Sequence, residues 1–475
     1  MNGQDGKAGA FEQLRARFHG AIRTPWDADY ARRREIFNAM IEDRPAAIAE
    51  CADVEDVRRA LGFAREHELE IAVRGGGHSV AGASLVDGGL VIDMRRFNHV
   101  SVDPAGRLAT VGGGTLWGEF DGATRPYHLA TTGGRVSTTG VAGLTLGGGS
   151  GWMERKWGLA CDSLVSVDLL TASGSRVSAD AERNPELFWA LHGGGGNFGI
   201  ATSLTFRLHE IPEFSMALLI WPAERGRAVA GEYRDFIAGA PDEISGGLIY
   251  LNGPPEEFVP AELVDALCCA VLVTFMGNQT RLRELIRPLL GLRPAGELID
   301  DIDYADLQSL LDDPPGYRNY WSAEYMAELP DEALDRFCAR AHDMPVPSPS
   351  QHVLFPWGGA VAADGVGAAM SDHSVPWVVH PFGLWSDPAT DESAVRWVRE
   401  LRADMRPWST GAVYLNFIGD EGEDRVRAGY GEDNYRRLAR VKAEYDPDNV
   451  FNRWHDILPA TAPERGTATS TSTAG

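Results

Sequence analysis

The chain has 475 residues, 44% of them apolar, which is long enough for more than one core and too apolar for wholesale disorder. Acidic side chains outnumber basic ones by 68 to 44, for a net charge of −24. Such a surface repels nucleic acid and anionic membranes, so neither is expected as a partner. The five cysteines (Cys51, Cys161, Cys268, Cys269, Cys338) show no CxxC spacing. Buried free thiols are expected rather than a zinc site or a disulfide framework.

Residues 1–40 read as a lead-in segment. Met1 to Phe18 lacks an apolar h-region, and no apolar run is long enough to span a membrane. A soluble, cytoplasmic protein is expected, with oligomers left open. Asp53 suits an N-cap, and Val54, Val57, Leu61 and Ala64 follow at helical spacing. Strands are predicted over 71–74, 90–93 and 108–111. From Gly112 to Gly151 the chain is dominated by Gly, Thr and Val. Its glycines argue against a helix, and its apolar residues argue against a solvated loop. This passage is expected to wrap a ligand.

A strand is predicted over 164–171, a short helix over 184–191 and an alternating strand over 200–208. The glycine-rich texture ends at Ile211-Pro212, which places a domain boundary near 212. Residues 213–410 hold predicted strands at 216–221, 248–251 and 270–275, with helices at 281–290, 331–341 and 392–405. That pattern reads as a sheet covered by helices. Trp321, Trp357, Trp377 and Trp385 are pocket candidates, although the core is the usual place for tryptophan. Residues 413–417 read as a strand. A helix carrying Tyr435, Leu438, Val441, Lys442 and Tyr445 follows and stops at Asp446-Pro447. Residues 459–475, rich in Ala, Thr, Ser, Pro and Gly, are expected to be a disordered tail.

Three glycine-rich passages (74–79, 133–151 and 193–199) lie beside predicted strands. The run Gly194-Gly195-Gly196-Asn197-Phe198-Gly199 satisfies GxGxxG but follows a helix and precedes a strand. That order is the reverse of the Rossmann fingerprint, which is therefore rejected. No GxxxxGK[ST] occurs, so a P-loop is rejected too. Tight turns in a β-rich domain would account for one such passage. Three favour one extended ligand with a pyrophosphate, cradled by backbone N–H groups. His78 closes the first passage, Arg74-Gly75-Gly76-Gly77-His78-Ser79. No second ligand stands at metal spacing from it, so no metal is expected.

These motifs resemble the FAD-linked oxidoreductases of the p-cresol methylhydroxylase/vanillyl-alcohol oxidase superfamily. The likeness rests on Arg74–Ser79, Leu90–Met94, Thr110–Gly114, Gly147–Trp152, Arg155–Leu159 and Gly193–Gly199. Asn434–Leu438 and Tyr445–Phe451 resemble the tail of the berberine-bridge-enzyme-like branch. The resemblance implies an α+β fold. A PCMH-type FAD-binding domain in two subdomains would occupy 41–212. An α+β substrate domain with an antiparallel sheet covered by helices would occupy 213–410, and a segment at 411–458 would return to the FAD domain.

It also implies FAD, bonded covalently to His78. Cofactor contacts are implied for Arg74, Gly75, Gly76, Gly77, His78, Ser79 and Gly82, and for Val136, Thr138, Gly140, Gly143, Gly148 and Gly149. Asp162, Leu164, Gly199, Ile200, Asn452 and Trp454 complete the set. The implied chemistry is hydride removal from a small or medium organic substrate (sugar, alcohol or secondary-metabolite intermediate) to flavin N5. Reoxidation would be by O₂ or another acceptor.

Three departures stand out. Val136 occupies the position of a second, cysteinyl tether, and Cys161 is too far along to replace it, so a single link through His78 is expected. Phe417 replaces the tyrosine that often serves as base, which leaves Tyr414 as the candidate. Trp454 and Asp456 stand where asparagines are usual, and a more aromatic pocket is expected. The alternative reading is a flavin-binding protein without turnover.

Overall fold

The computed structural model describes residues 2–211, 213–312, 316–363 and 367–461. Three large sheets organise them, beside a two-stranded pairing of Leu129–Ala130 with His209–Glu210. In the first, the strands run in the order Ala21–Arg23, Ala47–Glu50, Leu90–Asp93, Ile71–Arg74. The last three are parallel, as a βαβ crossover requires. The helix Val54–Glu66 makes that crossover. Asp53 caps it by accepting from the Asp56 N–H, and Val57, Ala60, Leu61 and Ala64 form its buried stripe. The lead-in is part of this unit, because Ala21–Arg23 adds an antiparallel edge and Phe11 and Leu14 enter its core.

The second sheet is antiparallel. It runs Val100–Asp103, Leu108–Gly112, Ile200–Arg207, Leu164–Leu170, Arg176–Asp180. The third begins at Ser215 and is also antiparallel, in the order Gly296–Asp301, Ser215–Pro222, Leu267–Phe275, Ile244–Asn252, Gln351–Pro356, Trp377–Trp385, Arg318–Trp321. Glu324–Met326 pairs with the far end of Trp377–Trp385. Leu354 and Val379 point from one face into a core shared with the helices Gly226–Gly239, Asp331–Ala341 and Asp391–Met405. Period-2 alternation turns Gln351, Val353, Phe355, His380 and Phe382 to the opposite face.

The expected α+β class holds, and four local expectations change. The stretch 112–151 does contain helices, Trp117–Thr124 and Val141–Leu146. Its glycines punctuate short elements rather than preventing them. The helix predicted over 281–290 divides into Gln279–Leu285 and Arg287–Gly291. Pro288 lacks the N–H that a continuous helix needs there. Residues 413–417 are not a strand. Leu415–Phe417 is a 3₁₀ turn, and the Asn416 side-chain amide ties it to the helix Val141–Leu146 by donating to Leu144 O at 2.9 Å. Finally, Ala460 N–H donates to Ala439 O at 2.9 Å, so the chain is still docked at the first residues of the expected tail. Residues 462–475 lie outside the described residues.

All five cysteines are buried free thiols. No helix among the described residues is long and apolar enough to cross a membrane.

The closing helix, Glu432–Tyr445, carries a buried charge pair. Lys442 Nζ lies 2.7 Å from Asp446 Oδ2, and both side chains are fully buried. The same ammonium donates to Asn197 O at 2.8 Å and Phe451 O at 2.7 Å, while Asp446 accepts from the N–H groups of Val450 and Phe451. Removing one partner strands the other in the core. Lys442→Met is expected to cost about 3–5 kcal/mol in urea unfolding. A loss under ~1 kcal/mol would show that the pair does not hold the C-terminal segment in place.

Candidate active site

A cavity of about 300 Å³ opens where the three sheets meet. Its walls come from Gly75–Ser79, from the stretch around 135–144, from Gly196 and Gly199, from the C-terminal run at 451–454 and from the third sheet. The first two walls join without side chains. A Cβ on Gly76 would lie 2.3 Å from Gly140 N, and one on Gly140 would lie 2.4 Å from Gly76 N. Glycine at both positions lets the backbones touch.

That contact sets His78 at the cavity wall, half-buried. Its Nε2 is 2.8 Å from Thr138 Oγ1, and its ring stacks on Phe37 with centroids 4.2 Å apart. Desolvation pushes its pKa down to about 4, so the imidazole is neutral near pH 7 and keeps a lone pair. Arg74, expected among the cofactor contacts, turns away. Its guanidinium donates to Arg33 O at 2.7 Å and to Glu35 O, which fixes the lead-in that carries Phe37.

Two observations test whether FAD fits. No described residue accepts a hydrogen bond from the N–H groups of Gly75, Gly76, Gly77, His78 or Ser79. Five successive free donors on a cavity wall form a nest for an anion such as a pyrophosphate. In addition, a Cβ on Gly143 or Gly196 would meet nothing within 4 Å. Gly143 sits in the helix Val141–Leu146, where glycine costs about 1 kcal/mol relative to alanine. Packing does not require glycine there, whereas close approach of a ligand does. The residues fit the cofactor.

The structure sorts the other expected contacts. Gly75, Gly76, Gly77, Ser79, Val136, Gly140, Gly143, Gly199 and Trp454 line the cavity, with Tyr414. Thr138 reaches it only through His78. Gly82 is a turn glycine facing Ile41. Gly148 and Gly149 are positive-φ glycines packed against Tyr414 and Ala160, outside the wall. Asp162 closes its own 3₁₀ turn by accepting from Leu159 N–H. Leu164 and Ile200 are buried core residues, and Asn452 is exposed off the wall. Asp456 is likewise off the wall and accepts from Asn449. Of the pocket candidates Trp321, Trp357, Trp377 and Trp385, only Trp321 lines the cavity.

Tyr414 also needs correction as the base. The turn at Leu415–Phe417 puts Tyr414 and Phe417 side by side, centroids 4.7 Å apart, rather than on opposite faces. The tyrosine hydroxyl oxygen accepts from Gly149 N–H at 2.6 Å, Ser150 N–H at 3.0 Å and Asn416 Nδ2 at 3.0 Å. Burial raises its pKa above the usual phenol value, against those three donors. An oxygen already surrounded by three protein donors has no lone pair left for a substrate proton.

Residues the sequence did not single out complete the site. Arg135 sits on the floor, pairs with the buried Glu154 at 2.7 Å and lies over the Phe355 ring. Phe355, His380, Phe382 and Phe417 line the end formed by the third sheet. The alternation along Gln351–Pro356 was the available signal for Phe355. No local pattern marked Arg135 or His380.

The comparisons with known proteins agree with this arrangement. Residues 45–180 match the family described as "FAD binding domain", and residues 413–457 match "Berberine and berberine like". The FAD-linked oxidoreductase YgaK of Bacillus subtilis (strain 168) is 30% identical over 93% of this chain and 97% of its own length. The chain belongs to the berberine-like FAD-linked oxidoreductases. The (R)-6-hydroxynicotine oxidase of Paenarthrobacter nicotinovorans is 29% identical over 93% of this chain and 97% of that protein. The crystal structure of 6-hydroxy-D-nicotine oxidase from Arthrobacter nicotinovorans superposes with a TM-score of 0.83 at 26% identity. It covers 93% of this chain and 98% of that one.

The protein is thus an FAD-dependent enzyme, and Gly143 offers a direct check on where the cofactor lies. Gly143→Leu should leave the fold intact by circular dichroism and raise helix propensity. It should also lower bound flavin per protein at least tenfold. A fully yellow variant would place the cofactor elsewhere.

Proposed function

We propose that this enzyme is an oxidase carrying FAD bonded through His78 alone, and that it oxidises a small or medium organic substrate and passes the electrons to O₂. The observation that carries the reading is the run of five free N–H donors ending at a neutral, stacked imidazole. Gly75–Ser79, Gly140, Gly143 and Gly199 would hold the cofactor. When bound, FAD supplies a two-electron oxidant at the cavity.

The protein's own contribution is placement and exclusion of water. Phe37 and Thr138 fix the His78 ring, whose neutral form is the nucleophilic one. Val136 lines the cavity at the position of a second tether, and no cysteine reaches the wall. Glu154 neutralises Arg135 below the floor, and the aromatic rings of the third sheet keep the substrate end dry.

The similarity to nicotine oxidases supports a compact, partly apolar substrate. Anaerobic mixing with a panel of aromatic alcohols, cyclic amines and sugars tests the reading. At least one compound should bleach the flavin band, admission of air should restore it, and acid precipitation should leave the pellet yellow. Full bleaching without recovery in air would rule out the oxidase assignment, and a colourless pellet would rule out the covalent link.

A further inference from the structure

His380 stands in the middle of the strand Trp377–Trp385, with its ring on the cavity wall. It is enclosed by aromatic rings. Phe417 stacks on it with centroids 4.2 Å apart and an interplanar angle of 13°. Trp321 and Phe382 meet it edge-on at 5.7 and 5.6 Å. Its Nδ1 is 2.8 Å from Ser322 O. A carbonyl only accepts, so Nδ1 carries the proton and Nε2 is left with a lone pair.

Two other buried histidines make the comparison. His192 and His352 each pair one nitrogen with a carbonyl and seal the other inside the protein. The second nitrogen of His380 is not sealed in this way, and the ring borders the cavity. Most neighbouring polar atoms are already engaged. Arg135 donates to Glu154 and Ser150, the Asn416 amide nitrogen donates to Leu144 O and Tyr414, and the Tyr414 hydroxyl oxygen accepts from three donors. Gln351 and the Asn416 carbonyl oxygen are the other polar groups at this end.

We propose that Nε2 of His380 is the acceptor that reads the substrate, and that the substrate is a hydroxylated aromatic molecule. Its flat ring lies among Trp321, Phe355, Phe382 and Phe417, and its hydroxyl donates to Nε2. A charged substrate would lose hydration here without gaining a counter-ion, because the Arg135 and Glu154 charges cancel beneath the floor. A sugar would bring several hydroxyls to a wall with few free partners. His380 thereby becomes a specificity determinant for the oxidase proposed above, on whose cofactor placement the inference rests.

The test needs no turnover. Holoenzyme is titrated with phenol and with anisole, the same ring with its hydroxyl capped, and binding is followed by the shift of the flavin band. Wild type should bind phenol about tenfold more tightly, the worth of one hydrogen bond of roughly 1.4 kcal/mol. In His380→Phe the ring stack on Phe417 is kept and the ratio should fall to about one through weaker phenol binding alone. His380→Leu should give the same ratio and serves if the phenyl ring disturbs the stack. A preference for phenol that survives both variants overturns the proposal, as does wild type that binds the two equally or binds neither. Loss of flavin from the wild-type protein would instead count against the cofactor placement.

Discussion

The backbones of Gly76 and Gly140 touch with no room for a side chain, and the site depends on that contact. It joins the loop leaving the parallel sheet to the loop entering the helix Val141–Leu146. Everything at the glycine-lined end of the cavity follows from it. The five N–H groups of 75–79 are left without an acceptor among the described residues, in a loop braced by backbone contact. His78, within that run, is pressed between Phe37 and the threonines of the second loop. Desolvation then keeps the imidazole neutral.

The opposite wall is set by different physics. Lys442 and Asp446 hold Asn197 and Phe451 together from behind. This fixes the 194–199 loop against the returning C-terminal chain, where a Cβ on Gly195 would lie 2.0 Å from the Trp454 ring. The third sheet supplies the remaining side through strict alternation. One face feeds the helix-covered core and the other the aromatic end of the cavity. A rigid glycine cradle thus meets a wall of rings, which suits a flat cofactor on one side and a flat substrate on the other.

Much of this was legible in the chain. The N-cap at Asp53, the strands at 71–74 and 90–93 and the helix at 331–341 are local features, and local rules find them. The cradle was legible because three runs of glycine have few other uses. What escaped the sequence depends on partners distant in the chain. Arg74 looked like part of the ligand loop, yet its guanidinium is claimed by carbonyls of the lead-in. Tyr414 looked like a free phenol, yet the loop at 149–150 occupies its oxygen. His380 gave no signal, since a histidine in an apolar strand is ordinarily just packed. Only tertiary structure shows that one of its nitrogens is left open.

The central claim is that this braced loop tethers the cofactor at one point. Mass spectrometry of a proteolytic digest of the purified yellow protein tests it most directly. The account predicts the added mass of the flavin on the peptide containing His78, with the peptides containing Val136 and Cys161 unmodified. Flavin mass on any other residue, or an unmodified His78 peptide from protein that is still yellow, would contradict it.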